Sequence, residues 1–285
     1  MDRFSKFHPI VGFSFFMGVI VLTLVFPNSV YGALSLICAF SYLAKLKGKK
    51  ALAFLLKIVL PLVLLASAFN MLFSHYGSTV IFSVKDISFT LETLTSGLLT
   101  GIMIGAVMLW FFAYNEIITA DKFMALFGGF APNLALLFSM ILRFIPLMIK
   151  TANEIKEAHI GIGCETKGLK NTLTRFSALI SISLERSIET ADTMKARGFG
   201  TKKRSFYSAF EFRKADFAAL AFIIVLLIYS FIACSADIAQ ITLDPVIKMN
   251  GINILSIILF ILLSLFPLIA DITEDFKWLL LKSKI

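Results

Sequence analysis

An apolar chain is interrupted between Arg143 and Ala215 by 73 residues that begin RFIPLMIKTANEIKEAHIGIG (143–163) and include TMKARGFGTKKR (193–204). This excursion carries 14 of the 27 Lys and Arg side chains. Its apolar residues recur at helical spacing, so the pattern predicts two amphipathic helices. A long, charged excursion on one side of a membrane indicates a region that acts on a soluble partner there.

The composition is that of a membrane protein. Of the 285 residues, 58% are hydrophobic and 30 are Phe, and the mean hydropathy is +0.88. One water-soluble core cannot bury that much apolar surface, so the surplus predicts a lipid-facing surface. The net charge of +9 does not indicate nucleic-acid binding, because the basic residues lie in loops beside apolar runs. Cys38, Cys164 and Cys234 lack the CxxC spacing of a metal or redox site.

Six apolar runs approach the ~20 residues that a membrane-spanning helix needs. They are Ile10–Phe26, Val30–Ala44, Ala51–Phe73, Gly97–Thr119, Phe217–Ala233 and Ile252–Ala270. If the N-terminus is cytoplasmic, 25 of the 27 Lys and Arg residues fall on the cytoplasmic side, and only Lys85 and Lys248 lie outside. This asymmetry predicts a multi-pass membrane protein whose N- and C-termini and excursion are all cytoplasmic.

A further apolar run, Ala131–Ile149, would place the excursion outside the cell if it crossed the bilayer. Gly128, Gly129 and Pro132 break the chain just before it, so we expect a tilted or interfacial helix there. The predicted fold class is all-α, with about six transmembrane helices and a cytoplasmic pair of amphipathic helices. The predicted regions are an N-terminal membrane region (1–142), the cytoplasmic pair (143–215) and a C-terminal membrane region (216–285).

Three glycines, Gly97, Gly101 and Gly105, share one face of the predicted fourth span. Small residues at this spacing let another helix approach closely in lipid. A substrate path along the same face is the alternative, but no ionisable residue lies on it before Glu116. Helix packing is therefore the preferred interpretation.

The two amphipathic helices carry apolar stripes. The first includes Ile155, and the second shows Ile180, Leu184, Ile188, Ala191 and Met194 at steps of three and four. Such stripes are typical of helices that lie on a membrane surface or across partner helices. Gly198 suits the position after a helix C-terminus because it tolerates positive φ. Arg197 would then either complement the helix dipole or bind a carboxylate of another protein.

Taken together, these motifs resemble the transmembrane T components of energy-coupling factor (ECF) transporters. The resemblance is carried by Arg143-Phe144-Ile145-Pro146, by Glu154–Ala158 and by a helix that ends in Ala196-Arg197-Gly198. His8-Pro9 is similar to the family's N-terminal Asp-Pro signature. The family is prokaryotic, lies in the cell membrane and takes up vitamins or transition-metal ions.

The resemblance implies a coupling subunit that is not an enzyme and has no cofactor, metal or catalytic residue of its own. It would transmit ATP-driven motion from two cytoplasmic ABC ATPase subunits to a separate substrate-capturing membrane subunit. The amphipathic pair would be the coupling helices, with their apolar stripes available to that membrane subunit. The chain lacks a phosphate-binding loop, in keeping with ATPase activity supplied by partners.

One motif departs from the family pattern. Members usually have two Ala-Arg-Gly motifs, each ending one coupling helix and each docking one ATPase, but the first reads Gly161-Ile162-Gly163 here. Either a neighbouring cation (Lys156, His159 or Lys167) supplies the charge, or this helix docks by apolar contact. Apolar docking is favoured because Ile162 continues the helix's own stripe. The unequal motifs suit unlike ATPase subunits, although like subunits stay possible.

Two other classes of protein compete with this interpretation. A self-contained channel or secondary transporter would need ionisable groups in mid-span or two related halves with broken helices, and the sequence shows neither. A membrane enzyme would need a cluster of carboxylates or histidines, whereas His8, His75 and His159 are scattered.

Overall fold

The computed structural model describes residues 3–26, 29–73, 80–84, 87–128, 131–163, 168–201, 210, 212–238 and 253–282. His75, Lys85, Cys164, Lys167 and Lys248, which entered the predictions above, lie outside these residues. The described helices are α1 (Arg3–Lys6), α2 (Pro9–Val25), α3 (Ser29–Lys47), α4 (Lys49–Phe54), α5 (Leu60–Phe73), α6 (Leu91–Ile117), α7 (Ala120–Gly128), α8 (Pro132–Gly161), α9 (Leu169–Ala196), α10 (Lys214–Ile238) and α11 (Ile254–Lys282). The predicted all-α membrane class is confirmed.

Two local features were not predicted. A π-helical turn, Leu55–Val59, joins α4 to α5 without ending the helix. Between α5 and α6, strands β1 (Val80–Val84) and β2 (Ile87–Thr90) form an antiparallel hairpin. Neither feature changes the helical class.

Six described helices are long and apolar enough to cross a membrane. They are Val30–Lys47, Lys49–Phe73, Thr93–Ile117, Pro132–Gly161, Lys214–Ser235 and Ile254–Ile272. The chain is therefore a multi-pass membrane protein, and the predicted number of spans agrees. The set differs at two places, because α2 is a shorter apolar helix of 17 residues and α8 qualifies by length and composition.

Helix α8 corrects the predicted layout of the excursion. The apolar run Ala131–Ile149 and the first amphipathic helix were expected to be separate elements, but they form one helix of 30 residues, ~45 Å long. Pro146 lies inside it without ending it. No glycine interrupts the chain between Pro132 and Ile160, so the helical path continues. The predicted border at residue 142/143 thus falls within a helix, and the three predicted regions remain a prediction about topology.

The described chain forms two compact units, Met1–Thr119 with Phe210–Ile285 and Ala120–Ala209. In the first unit, called the bundle here, α6 contacts α2, α3 and α5. Trp110 of α6 is fully buried, and its indole Nε1–H donates a hydrogen bond of 2.9 Å to Ser35 Oγ of α3. Phe15 and Phe16 of α2 meet the Trp110 ring edge to face at 5.7 and 6.1 Å. These contacts join three helices around one buried aromatic centre.

The three-glycine face of α6 lies against α5 and the π-helical turn before it. A Cβ added at Gly101 would stand 2.9 Å from Val63 Cα, and one at Gly97 would stand 2.8 Å from Ser67 Cα. At Gly105 it would meet Val59 Cγ1 at 2.7 Å. Only glycine fits such a close approach of two backbones, the geometry of small-residue packing in membranes.

Two buried aspartates hold the N-terminal segment of the bundle. Asp271 of α11 accepts the Phe4 backbone N–H at 3.1 Å, and Asp216 of α10 accepts the His8 backbone N–H at 3.3 Å. The His8 Nδ1 accepts from the Ile10 N–H, which caps α2 ahead of Pro9. Burial lowers the pKa of His8 despite the opposing effect of Asp216, so a neutral, hydrogen-bond-accepting imidazole is favoured.

Candidate coupling-helix ends

The C-terminus of α9 is closed by a glycine cap. Arg197 is the C-cap residue, with φ −82° and ψ 7°, and Gly198 follows with φ +80°. The Gly198 N–H donates to the Lys195 carbonyl at 2.9 Å and the Phe199 N–H to the Met194 carbonyl at 3.0 Å. These two bonds define a Schellman cap, which satisfies the last carbonyls of the helix. The expected positive φ at Gly198 is confirmed.

Helix α8 ends in the same way, 35 residues earlier. Ile162 is its C-cap residue, with φ −85° and ψ −1°, and Gly163 follows with φ +79°. The Gly163 N–H donates to the Ile160 carbonyl at 3.0 Å, as the Gly198 N–H does to Lys195. The backbones of Gly161-Ile162-Gly163 and Ala196-Arg197-Gly198 are therefore equivalent. We call these two tripeptides the α8 tip and the α9 tip.

The residues of both tips are exposed. Ile162 is 78% exposed, and Ala196, Arg197 and Gly198 are all exposed. Among the residues that the structure describes, none accepts a hydrogen bond or forms an ion pair with the Arg197 guanidinium. The nearby Lys195 instead lies 3.9 Å from Asp192 one turn earlier. Arg197 thus presents five N–H donors to solvent or to a partner.

Helices α8 and α9 meet well before their tips. The Arg186 Nη1 donates a hydrogen bond of 2.7 Å to Thr151 Oγ1, and the Ser183 hydroxyl lies 2.8 Å from Met148 Sδ. Thr151 is buried. On an antiparallel hairpin, the partner of Thr151 would precede the partner of Met148 in sequence. Here Arg186, the partner of Thr151, follows Ser183, the partner of Met148. The two helices therefore cross at this point, which we call the crossing.

The parts of the two helices beyond the crossing have equal length. Thr151 and Arg186 are 35 residues apart, as are Met148 and Ser183, and the C-cap residues Ile162 and Arg197 have the same separation. Each tip therefore lies 11 residues beyond the crossing, ~16 Å along its helix. Two arms of equal length end in equivalent caps, an arrangement with local two-fold character.

The predicted stripe of α9 lies on the side away from the crossing. Ile180, Leu184 and Ile188 are 43%, 60% and 64% exposed, and Ala191 is exposed as well. Leu169, Leu173 and Phe176 extend this stripe toward the start of the helix with exposures of 85%, 65% and 58%. No residue of α9 is buried. Met194 and, on α8, Ile155 are half-buried.

Sequence reasoning did not find the crossing. Arg186 lies outside the predicted stripe of α9, and its guanidinium donates a hydrogen bond to a buried hydroxyl of α8. The 35-residue separation of the two glycine caps could have indicated equivalent arms. Nothing in the sequence pairs Thr151 with Arg186 in particular.

Glu116, the ionisable residue expected at the end of the glycine face of α6, is paired. Glu116 forms an ion pair with Lys47 of α3, whose ammonium also lies 5.1 Å from the centre of the Phe112 ring. The glycine face is thus packed against another helix, and the carboxylate of Glu116 is neutralised by Lys47.

These observations define a class of protein: a helical, multi-pass membrane protein with two exposed helix ends that have equivalent caps. Residues 3–207 match the family model described as CbiQ, cobalt transport protein. The match covers 205 of the 285 residues, from α1 through both tips, so the chain belongs to the CbiQ cobalt transport protein family. It is therefore a transport component, and the resemblance to a transmembrane T component is confirmed. The comparison with curated proteins finds no match.

Proposed function

We propose that this chain is the coupling subunit of an ECF-type transporter, with α8 and α9 as cytoplasmic coupling helices. It would transmit motion from two ABC ATPase subunits to a separate membrane subunit that captures the substrate. The observation that carries this proposal is the pair of equal arms that end in equivalent, exposed caps. Two equivalent ends suit a pair of ATPase subunits related by a two-fold axis, because such a pair offers two equivalent docking positions.

Arg197 is the residue that we assign to ATPase docking on α9. Its guanidinium is exposed and has no partner in the described chain, and a planar fork of donors is the preferred ligand for a carboxylate. The glycine cap fixes the backbone beneath it, so the side chain starts from a rigid position. Ala196 and Gly198 leave room on both sides, which lets a partner surface approach the helix end closely.

The exposed stripe of α9 is the surface that we assign to the substrate-capturing subunit. It is exposed from Leu169 to Ala191 and contains the leucine and isoleucine side chains that a second membrane protein would bury. Burying the exposed parts of Leu184 and Ile188 would contribute ~2–3 kcal/mol to that association. A movement of the tips would then reach the other membrane subunit through the same rigid helix.

We infer a cytoplasmic position for the coupling helices and both termini from the charge distribution. The excursion holds 14 of the 27 Lys and Arg residues, and cytoplasmic placement also puts the other large basic groups inside. In this orientation α8 is an interfacial helix and α2 spans the prokaryotic cell membrane. The substrate would be a vitamin or a transition-metal ion such as the cobalt of the family description, and its selection would belong to the capture subunit.

The test is substitution of Arg197 in the transporter purified with its ATPases in mild detergent. Arg197→Ala removes the guanidinium that we assign to ATPase docking. Truncating one partner of a buried charge pair costs ~2–5 kcal/mol. We expect at least a tenfold loss of ATPase retained per chain and a matching loss of uptake. Lys170→Ala is the control, since it removes one exposed charge at the opposite end of α9. Unchanged ATPase retention and uptake in Arg197→Ala would exclude this role.

A further inference from the structure

We infer that the two tips bind two different ATPase polypeptides, one with a carboxylate that receives Arg197 and one with an apolar pocket that receives Ile162. This inference rests on the proposed function, because it specifies the partners of the same two sites. It follows from a difference in side chain between two ends that are otherwise alike.

The first step is that the backbones do not differ. The C-cap residues have φ of −85° and −82°, and the following glycines have φ of +79° and +80°. Both caps lie 11 residues beyond the crossing. A partner therefore meets the same backbone in both places, and the largest side-chain difference within the tips is Ile162 against Arg197.

The second step concerns the charge around each tip. From residue 155 to 163, the charges of Lys156 and Glu157 cancel, so the formal net charge of this part of α8 is zero when His is counted as neutral. The equivalent residues 190–198 contain Asp192, Lys195 and Arg197, a net charge of +1. The α8 tip thus lacks the positive charge of Arg197, and the charges of residues 155–163 do not replace it.

The third step is that one pocket cannot serve both tips well. A pocket built around a carboxylate for Arg197 would bury that carboxylate without a partner when it closed on Ile162. An apolar pocket fitted to Ile162 would strip water from the Arg197 guanidinium and offer it no acceptor. A pair of identical ATPase subunits presents two identical pockets, so it would leave one of the two tips poorly bound. Two unlike subunits remove the conflict.

The test is site-specific photo-crosslinking in the assembled transporter. A benzophenone amino acid replaces Ile160 in one variant and Lys195 in another, two exposed and equivalent positions that leave Ile162 and Arg197 in place. Crosslinked ATPase is then identified by mass spectrometry. We expect one ATPase polypeptide from position 160 and a different one from position 195. Capture of the same polypeptide from both positions would overturn the inference, while capture of no ATPase from either would contradict the proposed function itself.

A tip exchange gives a second, independent readout. The double variant Ile162→Arg/Arg197→Ile places each side chain on the other arm, and both positions are exposed, so the fold of the chain is not affected. Unlike pockets predict at least a tenfold loss of ATPase retained per chain. Identical pockets predict wild-type retention, because exchanging the tips would then only exchange two equivalent subunits. That second result would overturn the inference even if Arg197→Ala alone abolished docking.

Discussion

Apolar side chains form the buried core of the bundle, whereas those of α9 do not form a core. In the bundle, Trp110, Phe15 and Leu109 are fully buried and the glycines of α6 bring two backbones into contact. Along the 28 residues of α9 no side chain is buried, although Leu184 and Ile188 are as apolar as any residue of the bundle. Apolar residues that do not contribute to the fold of their own chain are available for association. The comparison therefore separates residues for folding from residues for coupling.

Truncation of one leucine in each region gives the largest expected difference. Leu109→Ala should lower the free energy of unfolding by about 2–5 kcal/mol, because it leaves a cavity in the bundle. Leu184→Ala, at a position that is 60% exposed, should change it by less than about 0.5 kcal/mol while reducing uptake. Denaturant titration in detergent measures the first quantity. Equal losses of stability at the two positions would contradict the division.

A methyl group added to one glycine in each region tests close packing. Gly101→Ala should destabilise the bundle by about 1–3 kcal/mol, since the new Cβ would lie 2.9 Å from Val63 Cα and the helices would have to separate. Gly161→Ala is the matched control, because its Cβ would meet nothing within 4 Å. The midpoint of thermal unfolding in detergent should fall only for Gly101→Ala. A stable Gly101→Ala protein would show that α5 and α6 do not depend on this contact.

The crossing should be sensitive to a smaller change. Thr151→Val keeps the shape of the side chain but removes the acceptor of the Arg186 hydrogen bond, at a cost of about 1 kcal/mol. Hydrogen exchange of α8 and α9 should become faster around residues 148–151 and 183–186. Thr190→Val is the control, because the Thr190 hydroxyl bonds to the Arg186 carbonyl of its own helix. Equal hydrogen-exchange rates in Thr151→Val and Thr190→Val would argue against a fixed crossing.

The sequence predicted the spans and the α9 cap because each depends on local pattern. Hydropathy located five of the six helices of spanning length, and Ala196-Arg197-Gly198 predicted a helix end with positive φ at Gly198. The continuity of α8 was missed because the apolar run Ala131–Ile149 and the charged excursion that begins at Arg143 were assigned to different regions. The hydrogen bonds of Asp216 and Asp271 to the N-terminal segment join residues more than 200 positions apart, and no local pattern carries such information.

The position of the two tips in the membrane can be measured by cysteine labelling. Ile160→Cys and Lys195→Cys would be made in a Cys164→Ser background, where the remaining Cys38 and Cys234 are buried. A membrane-impermeant maleimide should label both positions in inverted membrane vesicles and neither in intact cells. Labelling of either position in intact cells would place that tip outside the cell, out of reach of ATPases, and would contradict the coupling function.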